Sequence, residues 1–125
     1  PRLLTAVFAG GMAGALARAA LAEALPHAAT AWPWATFAVN VAGAFVLGFA
    51  LTWLDARPEA SPYVRPFVGA GVCGALTTFS TVQVELLAML DGGAWGLALA
   101  YAAASVAAGL AAAAVAAALA RGGAR

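Results

Sequence analysis

The sequence predicts an all-α integral membrane protein of four transmembrane helices, the third of them broken. Three observations carry this. Hydrophobic residues make up 65% of the 125 residues and charged ones only 9%, whereas a soluble domain carries about 25% charged residues. Mean hydropathy is +0.94. The chain divides into four apolar runs, each long enough for a span of about 20 residues. Four such spans take about 80 residues, so one membrane domain over residues 1–125 with short loops is expected. A surface this poor in charge excludes a disordered chain, a nucleic-acid binder and a soluble enzyme of this size.

The first span is expected over Leu3–Leu25, and the Pro26–Pro33 segment forms the loop after it. The second is expected over Trp34–Leu54, followed by the polar segment Asp55–Pro62. The third runs over Val64–Leu90, and Asp91-Gly92-Gly93 makes the turn into the fourth, Ala94–Ala120. Trp32, Trp34, Trp53 and Trp95 fall at span ends, where indole rings favour the membrane interface. Gly10 with Gly14, Ala38 with Ala42, and Ala70 with Gly74 are small residues one turn apart, a spacing that lets helices approach closely. Span four is mostly alanine, and its polar side chains Tyr101 and Ser105 share one face. No cleavable signal peptide is expected, because Arg18 interrupts the first apolar stretch and no convincing cleavage site follows it before span two.

The charges are few and one-sided. All six basic residues are arginines. With four spans, Arg2, Arg57, Arg65, Arg121 and Arg125 fall on one side of the membrane, together with both termini. The opposite loops hold His27 and Asp91 and no arginine; Arg18 lies inside span one, nearer that side. The positive-inside rule places both termini in the cytoplasm, and the expected location is a cell (inner) membrane. Cys73 is alone, so no intramolecular disulfide forms, and His27 has no neighbour at metal-ligand spacing.

The informative groups are those that are expensive in lipid: Arg18, Asn40, Gln83, Glu85 and the run Thr77-Thr78-Phe79-Ser80-Thr81. Asn40 is either an interhelical hydrogen-bonding group or a pore-facing amide donor. Arg18 either binds helix-end carbonyls or reaches for an interface. From Gly69 to Thr81 there are three glycines and four hydroxyl residues, which predicts an unwound stretch. Its freed carbonyls must be satisfied by protein, water or a cation, a device recurrent in transporters. Half-helix N-termini there would favour a nearby anion. There is no Ser-His-Asp set, because the only histidine, His27, falls in a loop, and there is no HExxH or CxxC. Hydroxyl and amide donors with aromatic ring edges suit a small, partly dehydrated anion. The absence of a cation along that path favours passage over tight binding.

Three motifs resemble the CrcB/Fluc family of fluoride channels over essentially the whole chain. They are Gly10-Gly11-x-x-Gly14-Ala15-x-x-Arg18, Thr36-Phe37-x-x-Asn40-x-x-Gly43, and Gly71-x-x-Gly74-x-x-Thr77-Thr78-Phe79-Ser80-Thr81 with Glu85. The resemblance implies an antiparallel dimer with two fluoride pathways at its interface, passive export of fluoride that lowers its cytoplasmic concentration, and a central sodium ion that is not transported. It implies that the sodium is held by the carbonyls of Gly74 and Thr77 from both subunits. It further implies a pathway lined by Asn40, Phe79, Ser80, Thr81 and Tyr101, with Glu85 one turn beyond, and a structural role for Arg18.

Two features depart from the family's pattern. Its usual run ends in a second phenylalanine, and here Val82 stands in that place without a ring edge for an anion. Dual-topology members keep their positive charge nearly balanced, whereas five arginines on one side call for an oppositely oriented sister subunit rather than a second copy. Two other readings are weighed against the channel. A proton-coupled exporter of the small multidrug resistance type needs a glutamate deep in span one, and Glu23 lies near the span's end. A structural subunit of a heterodimeric channel is suggested by Val82.

Overall fold

The computed structural model describes residues 1–123; Arg125, counted above among the one-sided arginines, lies outside them. The described residues are helical with no strand, and four segments are long and apolar enough to cross a membrane. Helix α1 spans Arg2–Ala24 and α2 spans Trp34–Asp55. The third segment, Pro66–Asp91, is composite. It opens as a π-helical segment, Pro66–Cys73, continues as the single turn α3, Gly74–Leu76, and resumes as α4, Ser80–Asp91. Helix α5 spans Trp95–Gly122. At 1.5 Å per residue the four are each about 33–42 Å long, enough for the hydrocarbon layer.

Sequence accounts for the ends of these elements. Pro33 precedes α2 and Pro66 opens the π-helical segment, at positions where a missing N–H costs nothing. Gly93, at φ +76°, turns the chain between α4 and α5 in a conformation that a residue with a Cβ rarely adopts. Within the π-helical segment the turns are wider, and Gly74 N–H reaches back to Gly69 O.

Two packing layers hold the bundle. Helix α5 lies along α2, and α1 lies along the π-helical segment and α3. The second contact is a backbone-to-backbone crossing. A Cβ on Gly10 would collide with Phe67 O, one on Gly14 with Val72 O, and one on Gly71 would come within 2.7 Å of Val7 O. The Gly10–Gly14 pair therefore acts inside the subunit, as close-packed membrane helices require. By contrast, Ala42, Ala70 and Gly74 face outward. A small core joins α4 to α5: Val82, Met89, Ala98 and Tyr101 are buried, with Trp32 and Phe37 packed against them. Trp34 and Trp95 are exposed at helix starts. Trp32 instead lies edge-on to Tyr101, ring centroids 5.4 Å apart, and packs against the α4–α5 core.

The crossing makes a prediction. Gly14→Ala gains helix propensity of up to about 1 kcal/mol but must push two backbones apart, a cost of about 1–3 kcal/mol. The variant is expected to unfold at lower temperature in detergent. Gly11→Ala meets nothing within 4 Å and is expected to be neutral or stabilising in the same measurement.

Candidate functional site at the interruption of the third segment

Between Leu76 and Ser80 the chain leaves the helix, with Thr77 extended at φ −79°, ψ 152°. Several of the backbone groups freed there have partners that can be followed. The amide that would close on Gly74 O is Thr78 N–H, and it donates instead to Asn40 Oδ1 at 2.8 Å. Asn40 Nδ2 returns a bond to Thr78 O at 3.0 Å, so one side-chain amide clamps both backbone groups of Thr78. The amide that would close on Thr77 O is Thr81 N–H, and it donates to Thr78 Oγ1 at 3.2 Å, capping the start of α4. Ala75 O accepts from Arg18 Nε at 2.9 Å, across 57 positions of sequence. The carbonyls of Gly74 and Thr77 thus lose their helical donors, while those of Ala75 and Thr78 receive side-chain donors.

Neighbouring side chains hold this geometry. Thr77 Oγ1 donates to Cys73 O at 2.8 Å, and a Cβ on Gly43 would strike the Thr77 methyl. Thr78 Oγ1 donates to Thr81 Oγ1 at 2.9 Å and lies 3.3 Å from Ser80 Oγ. An open cavity of about 420 Å³ on the outward face is bordered by Asn40, Gly43, Gly74, Thr77, Thr78 and Phe79, among others. Phe79 is 76% exposed beside it. Asn40 spends one amide hydrogen on Thr78 and retains a second donor at the cavity wall.

The remaining expected site residues are not among those lining this cavity. Ser80 is exposed and Thr81 half-buried. Tyr101 is fully buried, and its hydroxyl donates to Glu85 Oε2 at 2.6 Å. Glu85 Oε1 accepts from Thr36 Oγ1 at 2.5 Å, and His27 Nε2 stands 3.8 Å from the same oxygen. The carboxylate is therefore buried with two hydroxyl donors and an imidazole at its edge, the kind of pairing a buried charge requires. Val82 is 7% exposed and packs in the α4–α5 core beside Tyr101. Arg18, Thr36, Thr78 and Thr81 also border a second, smaller cavity of about 100 Å³ on the α1 side.

The sequence reading assigned no role to Thr36 or His27. Thr36 lies one helical turn before Asn40, so the two share a face of α2, and that spacing was a usable signal. His27 sits in a loop whose path only the fold defines. Ser105 shares its helix face with Tyr101 but borders a separate apolar cavity of about 490 Å³ between α2 and α5.

Arg18 offers a test of this arrangement. Arg18→Met keeps the apolar stem and removes the donor, leaving the Ala75 carbonyl unpaired, at a cost of about 1–3 kcal/mol. Thermal unfolding of the detergent-solubilised protein is expected at a lower midpoint, with Arg18→Lys recovering part of the loss.

Comparisons with known proteins agree with one another. The family model described as CrcB-like protein, Camphor Resistance (CrcB), matches residues 5–117. Proteins named fluoride-specific ion channel FluC 1 from Mycobacterium bovis and Mycobacterium tuberculosis are 58% identical over 106 residues, 84% of this chain and 80% of theirs. A fluoride-specific ion channel FluC of Rhodospirillum centenum is 42% identical over 106 residues, 83% of each chain. With its four membrane-length helices and with the matched region reaching from the first turn of α1 deep into α5, the chain belongs to the CrcB-like family.

Proposed function

We propose that this chain is a subunit of a fluoride-specific channel that passively exports fluoride and lowers its cytoplasmic concentration. The observation that carries this reading is the interruption of the third segment, where an amide donor, a ring edge and two carbonyls without their helical donors share one cavity. The relatives named as fluoride-specific channels supply the identity of the ion. In this reading Asn40 donates its second N–H to a dehydrated fluoride, and the edge of Phe79 offers its positive quadrupole rim. Ser80, Thr81, Glu85 and Tyr101 belong to the continuation of the path. Because Tyr101 and Thr36 both donate to Glu85, that carboxylate is the group through which the continuation is arranged. Exporters of the multidrug type gain no support, since Glu23 is exposed near the end of α1.

The Gly74 and Thr77 carbonyls suit a hard cation. Thr78 N–H and Thr81 N–H, their natural helical partners, are engaged elsewhere, and both residues border the cavity. Open carbonyls facing hydrocarbon are costly, and a sodium ion would neutralise them. The same cost argues for a second subunit over this face, where Gly74 and Phe79 are exposed. An antiparallel arrangement presents the same carbonyls to the ion from both subunits. The arginine asymmetry then favours a sister subunit of opposite orientation, with the termini of this chain cytoplasmic.

Fluoride efflux from liposomes tests the channel. Asn40→Asp keeps the acceptor for Thr78 N–H and removes the donor, and efflux is expected to fall by about tenfold or more, the equivalent of about 1.4 kcal/mol. Unchanged efflux with an intact fold would refute the role of Asn40. Exchanging sodium for a large organic cation on both sides is expected to slow efflux or lower the unfolding midpoint; if neither changes, sodium is not held here. A reporter active only in the cytoplasm, fused after Arg125, is expected to give signal without a population of the opposite orientation. Co-expression with an oppositely charged sister is expected to raise flux. An evenly split reporter with full flux from this chain alone would establish a homodimer instead.

A further inference from the structure

A cavity of about 410 Å³ lies at the end of the bundle that carries the N-terminus of α1 and the loop between α2 and the π-helical segment. Its lining combines three kinds of group: the guanidinium-bearing Arg57 and Arg65, the hydroxyl-bearing Ser61, and apolar Leu3, Leu54 and Pro66. No carboxylate is among its lining residues; Asp55 pairs with the lining Arg65, and Glu59 is exposed in the loop.

Both arginines have donors to spare. Arg57 is placed by stacking, its Cζ 4.2 Å from the centroid of the Trp53 ring. Its one hydrogen bond, Nη1 to Trp53 O, is long at 3.5 Å. A guanidinium has five N–H groups, so most of those on Arg57 remain available. Arg65 meets Asp55, but their side chains are 52% and 68% exposed, and such a surface pair contributes little. A phosphate can compete for it. Arginine suits this role, because its planar fork binds phosphate oxygens bidentately.

The surroundings select which phosphate. Trp53 marks the membrane interface. Leu3 is 51% exposed at the cavity wall, and further along α1 Leu4 and Phe8 are 75% and 67% exposed, a surface for an acyl chain. The same end of the bundle carries Arg2 and Arg121, so its field favours anionic over zwitterionic headgroups. We propose that this cavity binds the headgroup of an anionic phospholipid, with Arg57 and Arg65 on the phosphodiester, Ser61 donating a further bond, and the acyl chains along α1. The site is independent of the ion path.

The test uses the full chain in detergent, with phosphatidylglycerol, phosphatidylcholine or soluble glycerophosphoglycerol added. Native mass spectrometry counts retained lipid, and thermal unfolding reads protection. Phosphatidylglycerol is expected to be retained and to raise the midpoint more than phosphatidylcholine does, while the soluble headgroup leaves it unchanged. The pair Arg57→Gln and Arg65→Gln is expected to weaken retention by about thirtyfold, the equivalent of about 1 kcal/mol for each arginine. Arg121→Gln, outside the cavity, removes only a share of the general field and is expected to weaken retention far less than the double variant does. Equal retention of the two lipids would overturn the proposal, as would undiminished retention by the double variant. Protection by the soluble headgroup alone would also overturn it, by assigning the cavity to a soluble phosphodiester.

Discussion

An interrupted backbone in an apolar medium is the constraint on which the rest of this structure depends. Hydrocarbon offers no hydrogen bonds, so every amide and carbonyl released between Leu76 and Ser80 needs a partner from the protein or from something the protein binds. The chain meets this with three side chains from three places. Asn40 of α2 engages both backbone groups of Thr78. Arg18 of α1 reaches Ala75 O. The Thr78 hydroxyl accepts the Thr81 amide in the first turn of α4. Those bonds settle four groups, while the Gly74 and Thr77 carbonyls, of residues at the wall of the open cavity, keep no helical donor.

The glycine crossing serves the same end. Arg18 can reach Ala75 only if α1 lies against the third segment at backbone distance, and Gly10, Gly14 and Gly71 make that approach possible. The Thr77 methyl sits over Gly43, which brings α2 close enough for the Asn40 clamp. Small residues thus matter here as spacers for polar contacts. Much of the apolar surface, including Leu4, Phe8, Leu99 and Leu110, remains exposed on the outside of the bundle.

Much of the candidate site was legible because polar residues are rare in this chain. Asn40, Arg18, Thr77, Thr78 and Glu85 stand out against an apolar background, and burial of such groups is too costly to be incidental. Two readings of Asn40, interhelical bond and pore-facing donor, were open in the sequence. The geometry accommodates both, since a primary amide has two hydrogens and only one is given to Thr78. The partners of Glu85 were not legible. Its pairing with Thr36, Tyr101 and His27 joins positions 27, 36, 85 and 101, and no periodicity within one helix relates them. Val82 likewise gives no hint in sequence that its side chain belongs with Met89 and Tyr101 in the subunit's core.

The sequence by itself determined the number of helices, their approximate extents and the one-sided placement of the arginines. Those properties follow from the lengths of the apolar runs and the positions of the charges between them, because a bilayer of fixed thickness sorts apolar from charged segments one helix at a time. It also marked Gly69–Thr81 as unable to remain a regular helix in lipid without help. Only the tertiary structure decided which groups supply that help and which carbonyls go without. Each hydrogen bond at the interruption joins residues by distance and direction across helices, as Arg18 joins Ala75 over 57 positions. A one-dimensional pattern carries the need for such a partner; the partner's identity depends on how closely the helices can approach.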